Sequence, residues 1–242
     1  MLDTITLSEN LNDEKVNFLV FVGANTMNEI ENYNFYKYSK GIFIEAIPQN
    51  SVRCTVPTHG LYNGCVFSEL SNNLNAYNTK YKTHFIPINA LITNKQDGDL
   101  ITFNLFDNTG SSSIYDTNPE EWAFEGIKKW QSFDVPSTRM STLLNKLNKD
   151  EIGTENWDVI LDVQGAELEV LKSFDENYFK NIKNLRIEIS QKEIYKGGVL
   201  FDELNKFLKD NNFELQNKEI PEHGDIHYKK LRHDQHGPSR RI

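Results

Sequence analysis

The chain contains 242 residues, of which 38% are hydrophobic and 12% aromatic, and this apolar content is enough for one well-packed domain. A formal charge of −9 at pH 7 argues against a general affinity for nucleic acids or anionic membranes. No apolar run approaches the roughly 20 residues of a membrane-spanning helix, and the N-terminus lacks the order of a signal peptide. Two cysteines provide neither a disulfide framework nor zinc-ligand spacing. We therefore predict a soluble, cytoplasmic, single-domain protein.

The first part of the chain predicts a β-α-β unit after a polar lead-in over residues 1–15. Residues 17–23 form an apolar run that ends in a glycine, which is typical of a buried strand entering a tight turn. Residues 28–40 place apolar side chains at helical spacing, and Gly41 is the predicted C-cap of that helix. A second buried strand over residues 41–46 completes a unit of the nucleotide-binding type.

Two residues of this unit are candidates for ligand contacts. Gly23 allows the backbone to approach a ligand closely, and the following helix N-terminus can offer its amides. Glu45, near the end of the second strand, can accept hydrogen bonds from both hydroxyls of a ribose. The alternative is that Gly23 serves a simple turn and that Glu45 is an exposed charge at a strand end.

The next stretch predicts an insertion, a helix and further strands. Residues 51–65 carry both cysteines, one proline and two glycines without a regular period, so we predict an inserted loop or small hairpin. A helix over residues 66–81 and a strand over residues 84–88 follow. Residues 100–106 alternate apolar and polar side chains, as in a strand with one covered face.

A polar loop follows this strand and contains Ser111, Ser112 and Ser113. Its hydroxyls and amides can cradle a carboxylate or a sugar, although composition alone favours a solvated turn. Residues 119–129 predict a helix with proline in its first turn. Another helix is predicted through residues 140–147, with Ser137 or Thr138 as its N-cap.

The stretch from Trp157 to Phe174 carries the best indication of chemistry. A buried strand over residues 158–161 ends at Asp162, and a helix follows the turn that contains Gln164 and Gly165. Ligands bind at the carboxyl ends of the strands in a parallel α/β sheet, so Asp162 lies where a ligand is expected. The alternative role for Asp162 is to cap the following helix.

The last part of the chain predicts one more strand and a closing hairpin. Residues 183–189 form a buried strand with Glu188 near its end, and an amphipathic helix over residues 199–209 follows. Residues 213–218 and 225–231 alternate around a Pro-Glu-His-Gly turn, which indicates a hairpin. Residues 232–242 are basic, and we predict a mobile tail.

Six short motifs resemble the FkbM-type S-adenosylmethionine-dependent methyltransferases, in the order of that family. They are V-G-A-N at 22–25, I-E-A-I-P at 44–48, G-S-S-S-I at 110–114, L-D-V-Q-G-A-E-L-E-V-L-K at 161–172, E-I-Y-K-G-G at 193–198 and H-G-D-I-H-Y at 223–228. The resemblance implies an α/β, Rossmann-like class I methyltransferase fold. Its doubly wound sheet has seven strands in the order 3-2-1-4-5-7-6, with strand 7 antiparallel.

The resemblance also implies S-adenosylmethionine as cofactor and a hydroxyl acceptor, most often on a sugar or glycan precursor. The implied cofactor contacts are Gly23, Ala24, Asn25, Glu45, Ala46, Ile47, Asn89 and Ala90, with Ser111, Ser112, Ser113 and Gln164 as loop candidates. Asp162 is the first candidate for the base or orienter of the acceptor hydroxyl, and Glu188 is the second. No ligand spacing demands a metal. The chain departs from the family at Phe21, where an acid is usual, and at Met27, where a glycine is usual.

Two other functions remain open on the residues alone. A strand-glycine-helix-strand-acid unit also serves NAD-dependent oxidoreductases, although Gly23 to Met27 lacks the G-x-G-x-x-G spacing. A methyltransferase fold that has lost cofactor affinity and acts as a binding module is the other alternative. Phe21 and Met27 are the residues that favour it.

Overall fold

The computed structural model describes residues 18–47, 66–121, 126–148, 150–153 and 156–231. The predicted lead-in (1–15), inserted loop (51–65) and basic tail (232–242) lie outside these residues. None of the described helices is long and apolar enough to span a membrane.

The chain alternates strands and helices along most of its described length. The strands are β1 (Phe18–Val22), β2 (Lys40–Glu45), β3 (His84–Asn89), β4 (Leu91–Ile92), β5 (Leu100–Phe106), β6 (Lys129–Thr138), β7 (Trp157–Leu161), β8 (Ile182–Ser190), β9 (Phe213–Leu215) and β10 (His223–Lys230). The α-helices are α1 (Val66–Tyr81), α2 (Met140–Lys146), α3 (Glu167–Lys172), α4 (Glu176–Phe179) and α5 (Phe201–Asp210).

Seven strands form the main sheet in the order β3-β2-β1-β7-β8-β10-β9. Strand β1 pairs in parallel with β2 on one side and with β7 on the other, whereas β10 runs antiparallel to β8. When these seven strands are numbered 1 to 7 in chain order, they lie side by side in the order 3-2-1-4-5-7-6. The predicted doubly wound fold is therefore confirmed. The reversal of strand order lies between β1 and β7, where such sheets open a crevice.

Both faces of the main sheet are buried. Alternate side chains of β1 enter different cores, because successive residues of a strand point to opposite faces. Phe18, Val20 and Val22 pack in a cluster with residues of α2, α3 and α5. Leu19 and Phe21 pack in a second cluster with residues of α1 and the segment that follows β1. The uninterrupted apolar run at 18–22 follows from this double coverage.

The predicted helix over residues 28–40 is wrong. This segment forms two 3-10 turns, Ile30–Asn32 and Phe35–Lys37. The turns allow the rings of Phe35 and Tyr38 to pack in the second core. Phe35 stacks on Tyr33 with ring centroids 4.9 Å apart. Gly41 lies within β2 rather than at a C-cap, and a Cβ there would come within 2.7 Å of the Leu19 carbonyl oxygen. The glycine therefore permits close pairing of β2 with β1.

The helix predicted over residues 119–129 is also wrong in its described part. The described part of residues 119–128 contains turns without a helix, and residues 129–138 form β6, which joins β4 and β5 in a second, three-stranded sheet. Phe133 lies opposite Phe103 of β5 with ring centroids 5.8 Å apart, a pairing that alternating aromatic residues favour. Helix α2 begins after Arg139, so neither Ser137 nor Thr138 is its N-cap.

Candidate active site

A cleft of about 1180 Å³ opens at the carboxyl ends of β1, β2 and β7, above the switch point of the main sheet. Its volume exceeds the roughly 300–1,000 Å³ of ordinary small-molecule pockets, so it has room for more than one ligand. Two turns face it from neighbouring strands. We call residues 23–27 the Gly23 turn and residues 162–166 the Asp162 turn.

The two turns touch each other at Gly23. The Asp162 amide donates to the Val22 carbonyl at 3.0 Å, and a Cβ on Gly23 would lie 1.7 Å from the Asp162 carbonyl oxygen. Gly23 also has a φ of 84°, in the region that favours glycine. The close approach that requires a glycine here is therefore contact with the Asp162 turn, within the protein itself.

The amides of the Gly23 turn already have partners. Gly23 and Ala24 donate to the Ile44 carbonyl at 3.0 Å, and Thr26 donates to the Asn25 side-chain oxygen at 2.7 Å. No α-helix begins in the described segment between β1 and β2, so the expected helix N-terminus with free amides is wrong. The turn contacts the cleft through its side chains and backbone surface instead.

Glu45 is buried in the wall of the cleft, with 5% of its surface exposed, so it is not an exposed strand-end charge. Its carboxylate accepts hydrogen bonds from the amides of Asn25 at 2.8 Å and Ile47 at 2.7 Å. Burial raises the pKa of the Glu45 carboxyl despite these donors. Because a carboxylate has about four acceptor positions, these two bonds leave acceptor capacity for a diol.

The remaining implied cofactor contacts divide into two groups. Ala24, Asn25, Ala46 and Ala90 line the cleft, together with Leu91 and Ile92 of β4. Ile47 and Asn89 do not line it: Ile47 packs in the core of the second sheet, and the Asn89 side chain donates to the carbonyls of Glu45 and Ile47 at 2.8 and 2.9 Å. Asn89 therefore fastens β3 to the end of β2.

Asp162 and Gln164 line the cleft, whereas Glu188 lies behind them. The Gln164 amide nitrogen donates to Asp162 Oδ1 and to Glu188 Oε2, both at 2.6 Å, so one amide bridges the two candidate carboxyls. Glu188 lines a second cavity of about 20 Å³, where His223 Nε2 lies 3.5 Å from its Oε1. Arg186, on the same strand as Glu188, pairs with Asp225.

Burial shifts the protonation of this cluster. Burial raises the pKa of Asp162 to about 6, and it raises the pKa of Glu188 well above its usual range, with the neighbouring Asp162 and Glu167 adding to that shift. Of the two carboxyls, Asp162 is the one that lines the cleft. An acid with a pKa close to the working pH suits general base catalysis.

Backbone amides of the Asp162 turn donate hydrogen bonds to the Glu167 side chain and not to the Asp162 side chain. Glu167 Oε1 accepts the amides of Val163 and Gly165, each at 3.2 Å. Asp162 accepts from Gln164 at the cleft, so the helix-cap alternative does not describe its observed contacts. Burial raises the pKa of Glu167 to about 7.

The three serines of the polar loop are buried, so the expected solvated turn is wrong for them. Ser112 lines the cleft, and Ser113 Oγ donates to the Gln164 carbonyl at 2.7 Å. The Ser111 carbonyl lies 2.9 Å from the Tyr195 hydroxyl. Ser111 and Ser113 therefore support the Asp162 turn and do not line the cleft.

Two tyrosines of the site were missed as candidates. Tyr33 lines the cleft, and the Arg186 guanidinium lies 5.6 Å from the centre of its ring. Tyr195 is buried and contacts Gln164. The E-I-Y-K-G-G motif contains Tyr195 and was the available signal, whereas the position of Tyr33 depends on the irregular turns after β1.

The two departures from the family pattern both lie in the wall of the cleft and extend into the second core. Phe21 packs against Phe43 and Phe35, with centroids 5.8 and 6.4 Å apart. Met27 has a φ of 49°, a left-handed conformation that costs a residue with a Cβ about 1 kcal/mol. Glycine would avoid this strain, but it would not fill the space that Met27 occupies.

Within the described residues, no group of three or more His, Cys, Asp or Glu side chains is arranged to hold a metal ion.

Two comparisons with known proteins found matches. The family model of the Methyltransferase FkbM domain matches residues 22–215. The crystal structure of methyltransferase FkbM from Methylobacillus flagellatus KT is similar, with a TM-score of 0.47 and 13% identity over 92% of this chain and 45% of that one. This chain thus spans less than half the length of that protein. No curated protein matches. Because the family match covers most of the chain, the protein belongs to the FkbM methyltransferase family.

Proposed function

We propose that this protein transfers a methyl group from S-adenosylmethionine to a hydroxyl, on a sugar or a glycan precursor. The observation that carries the proposal is the placement of Glu45 and Asp162 on opposite walls of one cleft, at the switch point of the sheet. The first carboxylate suits a ribose diol, and the second suits the reacting hydroxyl.

The charge of the cleft supports a cationic cofactor. Its described lining includes the acidic residues Glu29, Glu45, Asp107 and Asp162 and contains no lysine or arginine. S-adenosylmethionine supplies, when bound, a methyl group on a positively charged sulfur, which this acidic lining favours. The pyrophosphate of NAD carries negative charge, and the acids would repel it. The lining therefore favours the methyltransferase over the oxidoreductase.

Named residues would hold the cofactor. Glu45 would bind the ribose, and Ala46, Ala90 and Ile92 offer apolar surface for the adenine. Asn25, in the Gly23 turn, would lie beside the methionine end. Phe21 replaces the acid that the family usually places there, so the acidic residues that remain in the lining must compensate for it.

Asp162 would act on the acceptor. Its carboxylate can accept the proton of the hydroxyl as the oxygen becomes a nucleophile, and Gln164 holds one of its oxygens from the side. Holding the hydroxyl in line with the methyl group contributes to the rate as well. The acceptor class is taken from the family resemblance, and the acidic lining is compatible with the many hydroxyls of a sugar.

Calorimetry with S-adenosylhomocysteine and with NAD tests this function. We expect S-adenosylhomocysteine to bind and NAD not to bind. Glu45→Gln should weaken that binding about 10- to 100-fold, as expected for the loss of a charged hydrogen-bond acceptor. Glu31→Gln, which removes an exposed carboxylate paired with Lys80, is the matched control and should bind normally. Binding of neither ligand would support the binding-module alternative, and binding of NAD alone would contradict the proposal.

A further inference from the structure

Gln164 is the point where four segments of the chain meet. It is buried, with 8% of its surface exposed. Its amide nitrogen donates to Asp162 and to Glu188 at 2.6 Å, and its amide oxygen lies 2.7 Å from the Tyr195 hydroxyl. Its backbone carbonyl accepts a hydrogen bond from the Ser113 hydroxyl at 2.7 Å. Its backbone has a left-handed φ of 55°. The side chain is therefore fixed by specific contacts on each side.

The chemistry of these partners determines which end of the amide faces the carboxyls. An ionised carboxylate only accepts hydrogen bonds, so it requires the nitrogen end of the amide. The oxygen end then requires a donor, and the Tyr195 hydroxyl is positioned to be that donor. The same hydroxyl lies 2.9 Å from the Ser111 carbonyl and has one proton to give. Donation to Gln164 is the arrangement that keeps the nitrogen directed at Asp162.

We propose that Tyr195 is a positioning residue for methyl transfer, which orients the Gln164 amide so that its nitrogen holds Asp162 in place beside the acceptor. The inference rests on the proposed function. Tyr195 does not line the cleft formed by the described residues; it lines the second cavity with Glu188. It therefore acts through Gln164 and touches no reacting group.

Several other charged or titratable groups act on Asp162 and must be kept constant in any test. They come from every element packed around the Asp162 turn and are Glu188 and Arg186 on β8, Asp225 on β10, Glu45 on β2, Glu167 on α3, and Tyr33 in the segment after β1. The Tyr195→Phe change alters none of these groups directly, since it removes one hydroxyl oxygen.

The test measures the titration of the Asp162 carboxyl in Tyr195→Phe, using NMR of labelled aspartate carboxyl carbons. The Asp162 signal is assigned by its absence from the spectrum of Asp162→Asn. Without the hydroxyl, the amide oxygen has lost its donor and the amide can rotate away from Asp162. Loss of a hydrogen bond to the charged form raises a carboxyl pKa, so we expect the midpoint to rise by about one pH unit. The experiment uses the intact protein and requires no acceptor.

Tyr228→Phe is the matched control. Tyr228 is equally buried, with 1% of its surface exposed, and its hydroxyl donates to the Asn205 side-chain oxygen at 3.1 Å. Both variants lose one hydrogen bond from a tyrosine hydroxyl to a side-chain amide, so a general loss of stability from that bond affects both. Only Tyr195→Phe should shift Asp162.

An unchanged Asp162 titration in folded Tyr195→Phe would overturn the proposal. If that variant does not fold, Gln164→Met carries the test, and an unchanged Asp162 midpoint there would overturn the proposal, because the Gln164 amide would then not hold Asp162. Gln164→Met should raise the midpoint by removing the amide itself. A rise in Gln164→Met without a rise in Tyr195→Phe would show that Gln164 needs no partner, and the proposal would fail. S-adenosylhomocysteine binding is measured separately, so failure of the proposed function remains distinguishable.

Discussion

The Gly23 turn and the Asp162 turn line the same cleft but are held in different ways. The Gly23 turn is fastened to its neighbouring strand, since its amides donate to the Ile44 carbonyl and to the Glu45 carboxylate. The Asp162 turn is fastened to distant parts of the chain through Gln164, which contacts Tyr195 and Ser113. The Gly23 turn thus relies mainly on the adjacent strand β2, with added side-chain contacts from Asn73 and Thr109, whereas the Asp162 turn relies on the side chain of Gln164.

This difference predicts that the two turns tolerate substitution differently. In the Asp162 turn, Gln164 and Gly165 each make a specific contact, and a Cβ on Gly165 would come within 3.3 Å of Gly198. In the Gly23 turn, Met27 occupies a strained backbone position and compensates by filling the second core. We therefore expect substitutions at Gln164 or Gly165 to be tolerated less well than substitutions at Met27.

Asp162→Asn should have the largest effect, and it tests the wall that we assign to chemistry. Loss of a general base costs about 10²–10⁴-fold in rate, whereas the affinity for S-adenosylhomocysteine should be unchanged. In the wild type, the rate should rise as the pH increases through about 6, because only ionised Asp162 accepts a proton. The measurement is methyl transfer from labelled S-adenosylmethionine to a panel of sugars.

Glu188→Gln is the control for this assignment. Glu188 lies behind Gln164 and outside the cleft lining, so its neutral replacement should reduce the rate much less than Asp162→Asn does. If Glu188→Gln were the more damaging change, the roles of the two carboxyls would be reversed.

Gly23→Ala tests the contact between the two turns. The added Cβ meets the Asp162 carbonyl at 1.7 Å and also requires an unfavourable φ. We expect the free energy of unfolding to fall by about 3 kcal/mol or more, from left-handed strain and overpacking together. Urea unfolding measures the loss.

Gly98→Ala separates those two causes. Gly98 has a φ of 89°, close to that of Gly23, but no described atom lies within 4 Å of its Cβ position. This variant should lose only the strain component, about 1 kcal/mol. Equal losses in the two variants would mean that contact between the turns contributes nothing.

The main sheet could be predicted from the sequence because its strands are short apolar runs that end at glycine or an acid. The run at residues 18–22 and the order of the motifs were sufficient to place Glu45 and Asp162 at one edge. The segment at 28–40 could not be predicted, since Phe35 and Tyr38 are buried by tertiary contacts that override helical spacing. The sequence prediction missed strand β6 for a similar reason, because pairing with β5 determines the conformation of that segment.

The supporting part of the site could not be predicted in detail either. Gln164 was a candidate from its motif, but its contact with Tyr195 joins residues 31 positions apart, and that of Tyr195 with Ser111 joins residues 84 apart. No periodicity or spacing indicates such pairs. Composition alone favoured a solvated serine loop, whereas tertiary structure buries it.

Glu167→Gln should have the smallest effect, and it tests how the Asp162 turn is stabilised. Both turn amides donate to the single oxygen Oε1, which glutamine retains. The pKa of Glu167 is raised in the folded protein to about 7, whereas the unfolded carboxyl titrates near its ordinary value of 4.5. Between these values the folded state binds more protons, so by linkage the wild type loses stability as the pH rises through this window.

The two proteins should therefore be about equally stable near pH 4, and Glu167→Gln should be the more stable at pH 8, by roughly 1–3 kcal/mol. Thermal or urea unfolding at the two pH values measures the difference. Glu176→Gln removes one negative charge from an exposed site on α4 and controls for the change in net charge. If Glu167→Gln were instead less stable at pH 8, the ionised carboxylate would be holding the turn amides. The Asp162 turn would then depend on a charged local contact, as the Gly23 turn depends on Glu45, and the contrast between the two walls would narrow.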